Sequence, residues 1–414
     1  MSNLAVDLHS HSGYAGGVGQ ITLEDVAQTM KYKGIDVFGT GDCLLPARMN
    51  ELKRKLKETR PGLFSLPGDS SYFALQTEVI FTSRIPGYKN KITAHHVILF
   101  PDFKSVEKTA LFLEKSGIKN TIGRPFITTE SQAQAEKYFF EIKNIHPEIE
   151  IIPAHVMTPD GILGSKNRLK SIKEFYGKFT EEIKVIETGL SADPEMLGKI
   201  PDLHKMTMIS NSDCHSAALN RIGREFTVLD TEDISYSDII KALRLNKVVF
   251  TAEFNPKEGR YFNTGHRKDR PGHEKELILT DNIPEDLICP VCGKKMILGV
   301  NERCLELSDE NLIPLKRRSK HLIPLSEAVA ESLNTKSVKS KKVIETTKKI
   351  IDIAKTEINL WRLSDDSCKE LLDNQIQSQT LHSIIAVKNG NFRFNPPGFD
   401  GNYGKLEILK RTEK

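Results

Sequence analysis

The chain has 414 residues, 38% of them hydrophobic, with a formal net charge of +4. That length supports two or three domains with a sizeable core, and without a run of about 18 apolar residues no membrane span is expected. The first residues lack a charged-then-apolar leader, so a cytoplasmic protein is expected, and the mild positive charge permits a nucleic-acid partner without demanding one.

In chain order, short apolar runs occur at "LAVDL", "GIDVFGTGD", "YFALQTEVIF", "TAHHVILF", "IEIIPAHV", "IKVIETGL" and "MTMISNSD". These are seven strand candidates. Helical patterns lie between several of them, at 23–34, 105–117, 131–144 and 169–179. Such alternation predicts parallel strands, in a barrel or an open sheet. Near residue 255 the composition changes, and 255–276 reads as irregular loop rich in Gly, Pro, His and charge. "CPVCG" follows at 289–293, then a lysine-rich helical stretch from about 325, then short strands around a glycine turn. The expected division is 1–254, 255–320 and 321–414.

The first strand opens the chemistry. In "VDLHSHS", Asp7, His9 and His11 occupy alternate positions, and in a strand alternate residues share a face. "NSDCHS" repeats the device with Asp213 and His215. Asp42, Glu78, His95 or His96, and His155 each stand at or near the end of a strand run. A single buried His or Asp is usually a hydrogen-bonded core residue, but the repeated placement at strand ends points to one shared rim. Imidazole and carboxylate together suit zinc, manganese or iron, and clustered divalent ions activate water at a phosphoryl centre. His95 and His96 cannot both face one side of a strand; His96 is chosen because it leads directly into the apolar run. Glu187 is a weaker candidate, and His146 and His204 read as bland.

Of six cysteines, at 43, 214, 289, 292, 304 and 368, only Cys289 and Cys292 are closely spaced. A disulfide framework is not expected; the pair reads as half of a zinc knuckle. Lys316, Arg317, Arg318 and Lys320 form one basic cluster and 336–342 another, both candidates for phosphate contact, as is Arg267. "RYF" (260–262), "SSYFA" (70–74) and Trp361 offer rings for base stacking.

The barrel motifs, in order, resemble those of the PHP (polymerase and histidinol phosphatase) superfamily. That resemblance implies a distorted seven-stranded α/β barrel with phosphoesterase activity. It carries metal-ligand roles onto His9, His11, Glu78, His96, His155, Asp213 and His215, with Asp42 added. His9, His11, Asp213 and His215 form the implied catalytic centre. Two positions depart: "GDC" stands where the superfamily often has "TDH", so Cys43 replaces a histidine, and "SGYAGGVGQ" lacks a loop histidine.

"GHR", "CPVCG", "GVNERCLEL", "HLIPLSEAVAE" and "PPGFDGNYGKLEI" extend the likeness nearly end to end. Together they resemble the endonuclease Q family, whose members cut DNA 5′ to a deaminated base (hypoxanthine, uracil, xanthine) and at abasic sites. The resemblance implies two or three divalent ions (zinc, manganese or magnesium) at the rim and one structural zinc. Besides Cys289 and Cys292 the family draws a His and a Cys from the "GHR" segment. His266 supplies the first. The cysteine position reads "KDRPGH", leaving Asp269 or His273, with Cys304 beyond; we take Asp269 as the fourth ligand. The partner is then lesion-bearing DNA, bound by a monomer. The competing readings are a histidinol-phosphatase-like enzyme and a nucleic-acid binding protein with a degenerate metal site.

Overall fold

The computed structural model describes residues 2–16, 18–335 and 337–409. Twelve strands precede residue 255: β1 (Ser2–Asp7), β2 (Val37–Gly39), β3 (Lys57–Arg60), β4 (Leu63–Ser65), β5 (Tyr72–Ser83), β6 (Ile92–Phe100), β7 (Phe126–Thr129), β8 (Glu150–Pro153), β9 (Val185–Glu187), β10 (Thr207–Ile209), β11 (Phe226–Thr231) and β12 (Val248–Glu253). Five more follow: β13 (Thr264–His266), β14 (Leu277–Leu279), β15 (Ser319–His321), β16 (Phe392–Phe394) and β17 (Leu406–Ile408).

The fold is mixed α/β around one large sheet. Its main path runs β15-β12-β11-β1-β2-β5-β4-β3, with β6 and β7 on β5 and β8 on β6. Among the described residues the ladder does not close into a ring, because β9 and β10 pair only with each other. Bonds outside the ladder span the gaps: Val156 N to the Glu187 carbonyl at 3.2 Å, and Ser210 N to Thr227 Oγ1 at 2.9 Å, with Thr227 Oγ1 donating back to the Ser210 carbonyl at 3.0 Å.

The expectation of uniformly parallel strands is corrected. β1–β11, β5–β6 and β6–β8 are antiparallel. β5 and β6 are joined by the short turn "RIPGYKNK" at 84–91, which has no room for the crossover a parallel pair needs.

Apolar alternation places the core. β5 and β6 put Val79, Phe81, Ala94, His96 and Ile98 on one buried face, against Phe139 from the helix Gln132–Lys143. Among the described residues after 322 five helices pack together, the longest being Lys341–Ala354. It buries Val343, Thr347, Ile350, Ile351 and Ala354, and its lysines lie on the solvated side, as an amphipathic period dictates. Lys336 lies outside the described residues. A buried ion pair, Lys33 to Glu357 at 2.8 Å, ties this bundle to the first helix (Leu23–Lys33). No helix among the described residues is long and apolar enough to cross a membrane.

Candidate functional site

β1 ends at Asp7, so His9 and His11 lie in the loop beyond it rather than on the strand. Asp7 faces another way. Its carboxylate accepts from Ser212 N at 2.9 Å and Gly223 N at 3.0 Å, and burial pushes it up to about 6. It braces the segment that carries Asp213, and His11 N reaches the Cys214 carbonyl at 3.0 Å.

The loops after β1, β8 and β10 then converge with mid-β5 and β6. His11 Nε2 is 3.1 Å from Asp213 Oδ1 and 3.5 Å from Glu78 Oε2. His9 Nε2 is 3.6 Å from Asp213 Oδ1 and 3.8 Å from Glu78 Oε1. His155 Nε2 is 3.4 Å from Glu78 Oε1, and the half-exposed His215 ring lies 4.4 Å from that of His11. Three overlapping sets result: His9–His11–Glu78, Glu78–His95–His155 and His11–Asp213–His215.

His96 is corrected as a site residue, and His95 stands in its place. The register pairs Ile80 with His95 and Val79 with His96. His95 therefore shares the Glu78 face, its Nδ1 2.6 Å from Oε1. His96 turns into the core, where it meets the Tyr176 hydroxyl at 2.7 Å, and burial pushes its pKa down to about 3.

Asp42 lies beside the cluster, accepting from Ser12 N at 2.8 Å, with Oδ1 3.6 Å from His11 Nδ1. Cys43 is buried in the core. Sequence reasoning underrated Glu187. Both its oxygens face His9 Nδ1, at 2.9 and 3.0 Å. Because a carboxylate only accepts, Nδ1 carries a hydrogen, and Nε2 faces the cluster as the atom that would meet a cation once it has shed its proton. Asn211 Nδ2 and His155 N donate to the same carboxylate.

Electrostatics agree with a cation-binding centre. Burial alone would hold His9 neutral, but Glu187, Asp213 and Glu78 push it up to about 10. Burial likewise opposes protonation of His11, and Asp213, Asp42 and Glu78 overcome it, to about 9. Glu78 and Asp213 are held well below the usual range by the surrounding imidazoles, against the cost of burial. His9 Nε2, His11 Nδ1, Glu78 Oε2, Asp42 Oδ1 and Asp213 Oδ1 are all shielded from solvent with no hydrogen-bond partner. Buried polar atoms are rarely left so, and a shared divalent ion satisfies several at once. Asp42, His155 and Asp213 have φ of 54°, 30° and 44°, a backbone cost that clusters at functional sites. Gly189 is required beside His155, because a Cβ there would fall 2.3 Å from the His155 Cβ.

A second cluster brings together His266, His273, Cys289 and Cys292. His273 Nε2 is 3.3 Å from both His266 Nδ1 and Cys289 Sγ, and Cys292 Sγ is 3.4 Å from His266 Nδ1. Those separations match the edges of a tetrahedron with zinc bonds of about 2.0–2.3 Å. Asp269 is corrected as the fourth ligand. It is exposed and pairs with Arg267 Nε at 3.3 Å, and Cys304 is buried in the core.

The basic cluster is not at the metal-bearing end. Lys316, Arg317 and Arg318 precede β15, which runs parallel to β12, so they lie toward the N-terminal strand ends. There they line a cleft of about 280 Å³ with Asn246 and Met208. Arg317 Nη2 donates to the carbonyls of His204 and Met206 at 2.6 and 2.9 Å. Lys320 sits on β15 itself. Arg267 is engaged by Asp269 and by Asp400, the latter at 3.6 Å. Trp361 and Phe73 are buried, whereas Arg260 stacks between Tyr261 and the exposed Tyr403.

No model of a known protein family matches the chain. Among solved structures it is similar to PfuEndoQ, a lesion-specific endonuclease from Pyrococcus furiosus, at 29% identity and TM-score 0.83, over 100% of this chain and 98% of that one. It is similar to endonuclease Q in complex with a 27-mer duplex substrate bearing an abasic lesion at the active site, at 29% identity and TM-score 0.82, over 99% and 97%. Along its whole length the chain therefore resembles endonuclease Q. Two uncharacterized relatives are MJ0043 of Methanocaldococcus jannaschii, 30% identical over 246 residues (58% of this chain, 30% of that protein), and YqxK of Bacillus subtilis, 24% identical over 423 residues (98% and 100%). In this chain the imidazole–carboxylate centre and the Cys/His cluster are two candidate centres for divalent metal.

Proposed function

We infer that this chain is a metal-dependent DNA repair endonuclease, hydrolysing the phosphodiester bond 5′ to deaminated bases (hypoxanthine, uracil, xanthine) or at abasic sites. One observation carries the reading: shielded, unpartnered imidazole and carboxylate atoms converge in a chain that matches endonuclease Q along its whole length. The reading treats 1–254 as a distorted seven-stranded barrel, 255–320 as the zinc-bearing part and 321–414 as a DNA-facing part, in a cytoplasmic monomer.

His9, His11, Glu78, His95, His155, Asp213 and His215 would hold two or three ions of zinc, manganese or magnesium. Such ions, when bound, supply Lewis acidity toward a phosphoryl oxygen and lower the pKa of water. Glu187 fixes the tautomer and orientation of His9. Asp7 and Asn211 hold the loops that bear the ligands. His266, His273, Cys289 and Cys292 would close a structural zinc site. A damaged base differs on its pairing edge, and extruding it costs least where pairing is already weak.

The test is a nicking assay on duplexes with a single deoxyinosine, deoxyuridine or abasic site, under manganese, magnesium or zinc. One nick on the 5′ side of the lesion is expected, and an undamaged duplex should stay whole. Intact lesion strands under all three metals would refute the assignment.

A further inference from the structure

One cation reaches the centre without belonging to the ligand set. Arg124 Nη1 lies 3.6 Å from Glu78 Oε2, with the side chain 21% exposed. Its Nε is shielded and has no hydrogen-bond partner. Glu78 is already surrounded by His9, His11, His95 and His155. A guanidinium set against a carboxylate committed to a cation centre gains little there and repels the ions. Its placement makes sense if it serves an anion that arrives later.

The backbone holds Arg124 firmly. Pro125 O accepts from Ile80 N at 3.0 Å, and β7, which starts at Phe126, pairs with β5, the strand bearing Glu78. Gly123 has φ +83°, and a Cβ there would fall 2.8 Å from the Asp42 side chain, so only glycine lets the loop sit this close. Four residues earlier, both polar atoms of the Asn120 side chain are shielded and unpartnered.

We propose that Arg124 is a catalytic residue that grips the non-bridging oxygens of the scissile phosphate. The inference rests on the reading of this centre as a phosphodiesterase. In hydrolysis the water oxygen bonds to phosphorus and the bond to the leaving sugar oxygen breaks. One water proton ends on that oxygen and the other is released to solvent. Charge builds on the non-bridging oxygens meanwhile, and a planar guanidinium meets two of them with paired N–H bonds. A lysine offers only a point charge.

The test compares wild type, R124A and R124K, each loaded with manganese. In single-turnover nicking of the abasic duplex, R124A should be slower by about 10²–10³-fold and R124K should recover part of the loss. Affinity for an undamaged duplex, which stays whole, should remain within about threefold, and manganese content should not change. A second arm uses inorganic phosphate alone: it should raise the melting temperature of the wild type and leave that of R124A unmoved. Wild-type nicking by R124A, an equal phosphate shift, or lost manganese would each overturn the proposal. If wild type cuts no duplex but phosphate protection still depends on Arg124, the nuclease reading fails and the anion-gripping role survives.

Discussion

The two metal-type clusters are built in opposite ways. The imidazole–carboxylate centre draws from chain segments between His9 and His215, each pinned by the large sheet or by backbone donors. The Cys/His cluster gathers four candidate ligands from the stretch between His266 and Cys292, beside the short β13–β14 pair and the Ile288–Lys295 bridge. In the first, the fold places the ligands and a metal adds chemistry. In the second, the metal would itself be the core. Zinc knuckles of this size lose structure with their ion, whereas a sheet-borne site survives losing a ligand.

The contrast can be broken by substitution. The largest effect is expected for Asp213→Asn or Glu78→Gln: nicking should fall by at least about 10³-fold, with the melting temperature of the metal-free protein not lowered. Unfolding of either variant would show that the sheet does not hold the centre by itself. Cys289→Ser should do the reverse, with limited proteolysis opening the chain between about residues 266 and 300 while the large sheet keeps its melting transition. Equal protease resistance with and without zinc would remove the metal-as-core argument.

The pH dependence of stability sharpens the same contrast. Burial pushes Glu253 at the end of β12 up to about 7, from an ordinary 4.5. The folded chain therefore keeps a proton that the unfolded chain releases. Its contribution is complete below about pH 4.5 and is lost as pH rises through 7, about 3 kcal/mol in all. Glu253→Gln should flatten that window in denaturant titrations; an unchanged slope would mean the carboxyl is charged when folded. A smaller effect is expected for Glu187→Gln, which should weaken manganese binding about 10- to 100-fold by freeing the His9 ring.

That these imidazoles and carboxylates would gather was legible because such side chains repeat at strand ends. What was not legible depended on register. His95 and His96 are adjacent and chemically identical, and only the pairing of Glu78 with Val97 decides which faces inward. Asp269 and His273 sit in one turn-rich segment, and loop geometry that no periodicity encodes brings His273 to the cysteines. Arg124 belongs to no motif; it acquires meaning only from the strand that follows it. The basic run at 316–318 looked like a DNA patch, yet chain direction carries it to the far end of the sheet.

β15 has a consequence for any attempt to express the first part alone. It runs beside β12 as the outermost strand, with Thr251 N bonded to the Arg318 carbonyl at 3.0 Å. A chain stopped after residue 254 would strip that cover and expose an unpaired row of amides and carbonyls. Such a fragment should self-associate edge to edge. The later residues thus act as a selvage for the sheet, whatever they also contribute to gripping a duplex.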